Sequence, residues 1–145
     1  MRQPEHTYDE IIHIWADDCK LEQLKVKAQI KAESLFDPEA VSGVGAMGLG
    51  QFMPTTWEWA KEKGWIAKDA DPFDPQDNIM AQCHYMRWLL DRFQNNYEFA
   101  WAAYNWGIGN VNKIFRWANW KTYLPEETYT YIERINRYHK EYMNV

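Results

Sequence analysis

Apolar residues along this chain recur mostly at three- and four-residue steps, most clearly at Ile79, Cys83, Met86, Leu90 and Phe93. Side chains at that spacing share one face of an α-helix, so the pattern predicts a buried helix over 75–94, ended by Asn95-Asn96. Ile11, Ile12 and Trp15 predict a first helix, with Thr7 and Glu10 in capping-box spacing and Asp17, Asp18 and Lys20 marking its end. A second helix is expected over 22–35, carrying Leu24, Val26, Ala28 and Ile30. Pro54 suits the first position of a third, which reaches Lys63 before a stop at Gly64. The stretches 98–106 and 111–118 read as further helices separated by Gly107 and Gly109, and 119–125 as a loop. The last helix covers Glu126–Met143, with Tyr131, Ile135, Tyr138 and Tyr142 at helical spacing. No stretch alternates as a strand does, and no internal repeat is present. The expected fold class is all-α.

One residue breaks the periodicity. Glu33 follows Val26 and Ile30 at i+7 and i+3, so an acid occupies a position where the apolar face calls for a core residue. Asp37-Pro38 closes the helix just beyond it. A carboxylate near a helix C-terminus meets the negative end of the macrodipole, and burial disfavours its charge as well. Both effects raise its pKa, and a carboxyl still protonated near neutral pH can serve as a general acid. The bland alternative is a helix-end acid that bends into solvent.

The following stretch, 37–49, contains Gly43, Gly45 and Gly48, few charges and many small residues, so it is expected to pack against the body of the protein. Within reach of Glu33 lie Ser42, whose hydroxyl could orient the carboxyl, and Gln51, whose amide could bind a sugar hydroxyl or N-acetyl group. Met53 adds a flexible apolar contact. Tyr104 and Asn105 form a second polar cluster beside a glycine turn, with Trp101 and Trp106 nearby. Glu127 opens the last helix, where an acid is also simply a good partner for the helix dipole.

Composition narrows the chemistry. A chain of 145 residues buries roughly two-thirds of its unfolded surface, enough for one domain spanning 1–145. The net charge of −5 lacks the basic footprint of a duplex nucleic-acid binder. Nine Trp, nine Tyr and six Phe are mainly core material, but flat amphipathic rings also suit the C–H faces of sugars. Trp106, Trp117 and Trp120 stand evenly between core and sugar platform. Cys19 and Cys83 are expected free and buried. The histidines, at 6, 13, 84 and 139, have no metal-ligand spacing with one another or with the cysteines, so no metal and no cofactor are expected. The first 18 residues lack an apolar secretory core, and no run of 18 apolar residues predicts a membrane span.

Taken in order, Glu33-Ser34, the run Gly45 to Pro54 (GAMGLGQFMP), Ala103-Tyr104-Asn105 with Gly107 and Gly109, and Glu127 to Ile132 (ETYTYI) carry a specific resemblance. Over about 22–138 the chain resembles the catalytic domain of soluble lytic murein transglycosylases, a family related in fold to goose-type lysozyme. The Asp74-Pro75 and Asn78-Ile79 pairs are also similar to that family. The resemblance implies a lysozyme-like domain with a saccharide groove, acting on peptidoglycan glycan strands. It implies Glu33 as sole catalytic acid/base, with Ser42, Gln51, Met53, Tyr104, Asn105 and Glu127 lining the groove or supporting the acid, and Tyr104 as a phenol that faces Glu33. The implied reaction cleaves the β-1,4 bond from N-acetylmuramic acid to N-acetylglucosamine and leaves a 1,6-anhydro end. Gly50 departs from the family, which more often has Met or another larger residue there, and is expected to loosen the packing under the loop. Two alternatives stand beside this reading. One is a hydrolase on the same polymer or on chitin, in which Asp37, Glu39, Asp69, Asp71 or Asp74 positions a water. The other is a non-catalytic glycan-binding or virion module. With no secretory signal read, delivery by a phage, at lysis or within the virion, is expected, as is a monomeric state.

Overall fold

Three of the helices begin where the sequence provides for their unpaired amides. Pro54 and Pro75 each sit in a first turn, where a missing N–H costs nothing. Asp74 caps the helix that follows it by accepting from the amide of Asp77 at 3.0 Å, and Asn96 accepts from that of Phe99 at 3.1 Å. The computed structural model of the protein describes residues 1–144. Its helices are α1 (Asp9–Asp18), α2 (Gln23–Ser34), α3 (Pro54–Glu62), α4 (Pro75–Arg92), α5 (Tyr97–Trp106), α6 (Ile108–Asn112) and α7 (Glu126–Met143), with a 3-10 turn at Trp120–Tyr123. Among the described residues there is no strand, as an all-α chain requires. None of their helices is long and apolar enough to cross a membrane.

Three local expectations are corrected. The capping box at Thr7 and Glu10 does not form. A turn from Pro4 takes the Thr7 amide at 3.0 Å, and α1 starts after Tyr8 without a side-chain cap. The helix expected over 111–118 is α6, which begins earlier and ends at Asn112. Gly107, at φ +105°, reverses the chain directly after α5, and Asn110 Nδ2 locks the reversal by donating to the Trp106 carbonyl at 2.8 Å. Leu24 is exposed, whereas Val26, Ala28 and Ile30 are buried. It is the second residue of α2, and the buried part of the helix begins two residues later, at Val26.

The main core draws on α1, α2, α4, α5 and α7 and includes Ile12, Ile30, Ile79, Leu89, Trp101, Ile132 and Ile135, all at most 1% exposed. Each such side chain contributes about 1.5–3 kcal/mol of burial. A smaller core of Phe52, Trp57, Ala60, Ile66, Ala70 and Ala81 lies beneath α3 and the glycine-rich stretch, and Tyr85 and Tyr104 border both cores. The most extensive helix pairing is α2 against α7.

The glycine-rich stretch is folded by two isolated antiparallel bridges, Val41 with Met47 and Met47 with Phe52. Asn78, in the first turn of α4 and fully buried, holds it down. Its Nδ2 donates to the carbonyls of Pro72 at 2.7 Å and Met47 at 3.2 Å, and its Oδ1 accepts from the Gly50 amide at 2.7 Å. Gly50 therefore does not loosen the packing. A Cβ there would come within 2.8 Å of Asn78 Oδ1 and 2.9 Å of both Gln82 Oε1 and the Tyr104 hydroxyl. Gly48 is held as tightly, at φ +74° and with the Pro72 carbonyl where a Cβ would go.

Candidate active site

Glu33 is the second-last residue of α2. Leu35 and Phe36 follow with φ of +52° and +60°, turning the chain away and leaving the carboxyl at the helix end. Glu33 keeps a part-exposed edge on the groove, while its carboxyl is densely surrounded by protein. That burial pushes its pKa up to about 8. A hydrogen bond from Tyr131 and the charge of Arg134 pull the other way, and Glu127 adds to the rise. Near neutral pH the group is mainly a neutral acid.

The partner of the carboxyl arrives from α7. Tyr131 donates its hydroxyl to Glu33 Oε2 at 2.7 Å and accepts from Gln29 Nε2 at 3.0 Å. Burial holds the Tyr131 phenol well above its ordinary pKa, so it remains a donor. Gln29, 1% exposed, sits one turn before Glu33 on α2. The chain Gln29–Tyr131–Glu33 thus spans the α2–α7 seam and fixes the carboxyl. Neither Tyr131 nor Gln29 was expected here from the sequence. Tyr131 reads as one of four apolar positions on its helix, but a buried phenol needs a partner for its O–H, and that need was the available signal.

Two cavities meet at Glu33. One of about 430 Å³ runs past Lys31, Val41, Arg134 and Tyr138. The other, of about 200 Å³, is lined by Val44, Met53, Tyr104, Asn105 and Glu127. Glu33, Ser42 and Gln51 line both. All seven residues singled out in the sequence therefore border one groove, but their hydrogen bonds differ from expectation. The Ser42 hydroxyl accepts from the amides of Val44 at 3.3 Å and Ala46 at 3.0 Å, bracing its own loop. Gln51 spends its NH₂ on the carbonyls of Gly48 at 3.0 Å and Ala40 at 3.2 Å, which leaves Oε1 as its free group. Tyr104 donates to the Gly50 carbonyl at 2.8 Å, and Asn105 accepts from Thr128 at 2.8 Å, tying α5 to α7. Glu127 is exposed in the first turn of α7.

The groove continues beyond these residues. Met53 and Tyr104 pass it to a small space beside Thr56 and Tyr85, and from there to an apolar hollow of about 270 Å³ walled by Trp59 and Trp88. Of the three tryptophans left open, Trp106 and Trp120 pack against the main core, whereas Trp117 is 47% exposed against Tyr123. Three of the five acids considered as water-holders are turn formers. Asp37 Oδ1 accepts from the Glu39 amide, Asp71 Oδ1 from the Phe73 amide and Asp74 Oδ1 from the Asp77 amide.

A helical body with one neutral carboxyl at the edge of an open groove defines a lysozyme-like domain. The family follows from the matched residues. Positions 10–125 fit the family described as the transglycosylase SLT domain, and the chain belongs to it. The soluble lytic murein transglycosylase of Escherichia coli strain K12 is 32% identical over 107 residues, covering 72% of this chain and 17% of that protein. A lytic transglycosylase Slt from Pseudomonas aeruginosa, solved as an inactive mutant, superposes with a TM-score of 0.86 at 26% identity, over 96% of this chain and 25% of that one. The 70-kDa soluble lytic transglycosylase of Escherichia coli gives 0.84 at 27% identity, over 95% and 25%. This chain therefore spans about a sixth to a quarter of the length of these relatives.

Proposed function

We propose that this chain is a lytic transglycosylase catalytic domain that cleaves the β-1,4 bond from N-acetylmuramic acid to N-acetylglucosamine in peptidoglycan, with Glu33 as its only acid/base. The observation that carries the reading is the neutral Glu33 carboxyl at the junction of two cavities, held by Tyr131. A glycan strand crossing the junction puts one sugar on either side of the acid.

In this reading Glu33 gives its proton to the glycosidic oxygen, and the N-acetylglucosamine leaves as an alcohol. The muramic N-acetyl oxygen stabilises the cationic C1. Glu33, now a carboxylate, takes the proton from the C6 hydroxyl of the same sugar as that oxygen bonds to C1. The enzyme returns to its acid form and no water is consumed. Tyr131 steadies the carboxylate between the two transfers, because a hydrogen bond to an ionised acceptor is the stronger kind. With Oε2 engaged by Tyr131, Oε1 is the oxygen that carries the proton. The Gln51 Oε1 atom and the Ser42 O–H are the groove groups left to meet amide and hydroxyl groups of the sugar.

Hydrolysis is the second reading, because Glu127 is a further carboxyl on the same cavity and could hold a water. Mass analysis of digested sacculi separates the two: transglycosylation yields 1,6-anhydro ends, lighter by one water than reducing ends. Predominantly reducing ends would overturn the proposal. Glu33→Gln is expected to abolish clearing of sacculi, and full activity in that variant would remove Glu33 from the chemistry. Binding of sacculi by the wild type with no product would instead identify a glycan-binding module.

A further inference from the structure

We propose that Asp18, Cys19 and His84 form a zinc site that pins the C-terminal end of α1 to the middle of α4, apart from the saccharide groove. Asp18 ends α1, Cys19 is the next residue, and His84 lies on α4. None of the three lines the cavities around Glu33. No spacing rule connects residues 19 and 84, which are brought together only by the packing of α1 on α4.

The geometry suits a tetrahedral ion. With Zn–S near 2.3 Å and Zn–N near 2.05 Å, two ligands of a tetrahedral zinc stand about 3.6 Å apart. Cys19 Sγ and His84 Nδ1 are 3.7 Å apart. The third ligand atom, a carboxylate oxygen of Asp18, lies within 4.8 Å of both. A carboxylate oxygen in the same tetrahedron would stand about 3.5 Å from the sulfur, so Asp18 needs to close by no more than about 1.3 Å. Asp18 is exposed and free to swing, whereas Cys19 is 5% exposed and already in place.

Two aromatic rings and an arginine surround the pair. The Trp65 ring lies parallel to the His84 ring, 10° apart at a centroid distance of 6.3 Å, and Trp15 stands 6.0 Å away on a tilt. Arg87, on α4, donates Nη1 to the carbonyls of Lys20 at 3.2 Å and Cys19 at 3.5 Å, clamping the chain where it leaves α1. A thiolate, an imidazole and a carboxylate are ligands that zinc accepts together, and two negative ligands balance its charge. Zn²⁺ displaces the thiol proton to solvent, and a water completes the coordination. The burial of Cys19 argues against the other use of a Cys–His pair, as nucleophile and base, because a substrate cannot reach the sulfur.

The test uses the full chain, reduced and stripped with chelator, titrated with Co²⁺ and then Zn²⁺. One equivalent of Co²⁺ is expected to give a thiolate-to-cobalt charge-transfer band and visible bands of tetrahedral intensity, both removed by Zn²⁺. Cys19→Ser abolishes the charge-transfer band and Cys83→Ala keeps it. His84→Gln and Asp18→Asn weaken binding at least about tenfold. Circular dichroism verifies folding, and the exposed Asp18 provides a variant that leaves the core untouched. No thiolate band in the wild type, a band that survives Cys19→Ser, or one lost only in Cys83→Ala would each overturn the proposal.

Discussion

Replacing Glu33 by Gln should make the protein more stable, and increasingly so as pH rises. The carboxyl has an ordinary pKa near 4.5 in the unfolded chain and about 8 in the fold, where burial is the main cause. Below about pH 4.5 both states hold the proton, and Glu33 contributes no pH dependence. Between the two values the folded state holds a proton that the unfolded state has released, so stability falls as pH rises. Above about pH 8 both states are ionised and the whole cost is present. The gap is about 3.5 pKa units, which at 1.36 kcal/mol each amounts to at most about 5 kcal/mol, less whatever solvent in the groove returns to the carboxylate. Gln has nearly the same shape, keeps an oxygen to accept from Tyr131 and does not titrate. Its stability therefore lacks this slope.

The assay is urea unfolding of wild type and Glu33→Gln across pH 4 to 9, followed by tryptophan fluorescence. Titrating groups that do not interact with Glu33 cancel in the difference between the two proteins. That difference should be flat near pH 4, climb through the neutral range and level off above about pH 8. A difference that stays constant with pH would refute the burial of a neutral acid, whatever the variant does to activity.

Three further outcomes follow from the same geometry. Under the proposed mechanism only protonated Glu33 starts the reaction, so kcat/KM on soluble murein fragments should fall as pH rises through about 8; an alkaline limb well below pH 6 would contradict this assignment. Tyr131→Phe removes a hydrogen bond that favours the charged form, worth about 1.5–3 kcal/mol, and should move that limb and the Glu33 pKa up by about 1–2 units. It also strands the Gln29 amide, so adding Gln29→Leu should recover stability without restoring the pH limb, and an unmoved limb in Tyr131→Phe would sink the assignment. Gly50→Met should lower stability by about 1–3 kcal/mol in thermal unfolding, since even a Cβ meets Asn78, Gln82 and Tyr104, and an unchanged melting temperature would show that the site has room.

What could be read from the chain alone was local. Pro54, Pro75, Asp74 and the stripe from Ile79 to Phe93 each act within a few residues, so the main helices and their starts were legible. Glu33 was legible for the same reason: an acid that interrupts an apolar period just before a helix ends is a conflict visible within one turn. Thr7 misled because the competing turn at Pro4 is equally local and satisfies the same amide. Ser42 and Gln51 were located by their place in the loop, but their bonds follow from how that loop closes over Asn78, which belongs to another helix.

Helical period identifies the face that turns inward and says nothing of which face it will meet. The Tyr131 hydroxyl reaches Glu33 from 98 residues away, whereas the sequence favours Tyr104 as the phenol facing that carboxyl. The choice between them lies in the polar atoms that each buried face must satisfy. On α2 the inward residues include Gln29, Glu33 and Ser34, and on α7 they include Thr128 and Tyr131. Ser34 bonds back to the Ile30 carbonyl at 3.2 Å and needs no partner helix, whereas Gln29 and Glu33 have none within α2. Two helices that each carry unmatched polar groups on an apolar face stabilise one another by pairing those groups, and leaving one unpaired costs about 1–3 kcal/mol. On α5, by contrast, Tyr104 finds its acceptor at Gly50, in the loop that a bare glycine allows to come close. That contact commits Tyr104 to the loop and leaves Tyr131 as the phenol for Glu33.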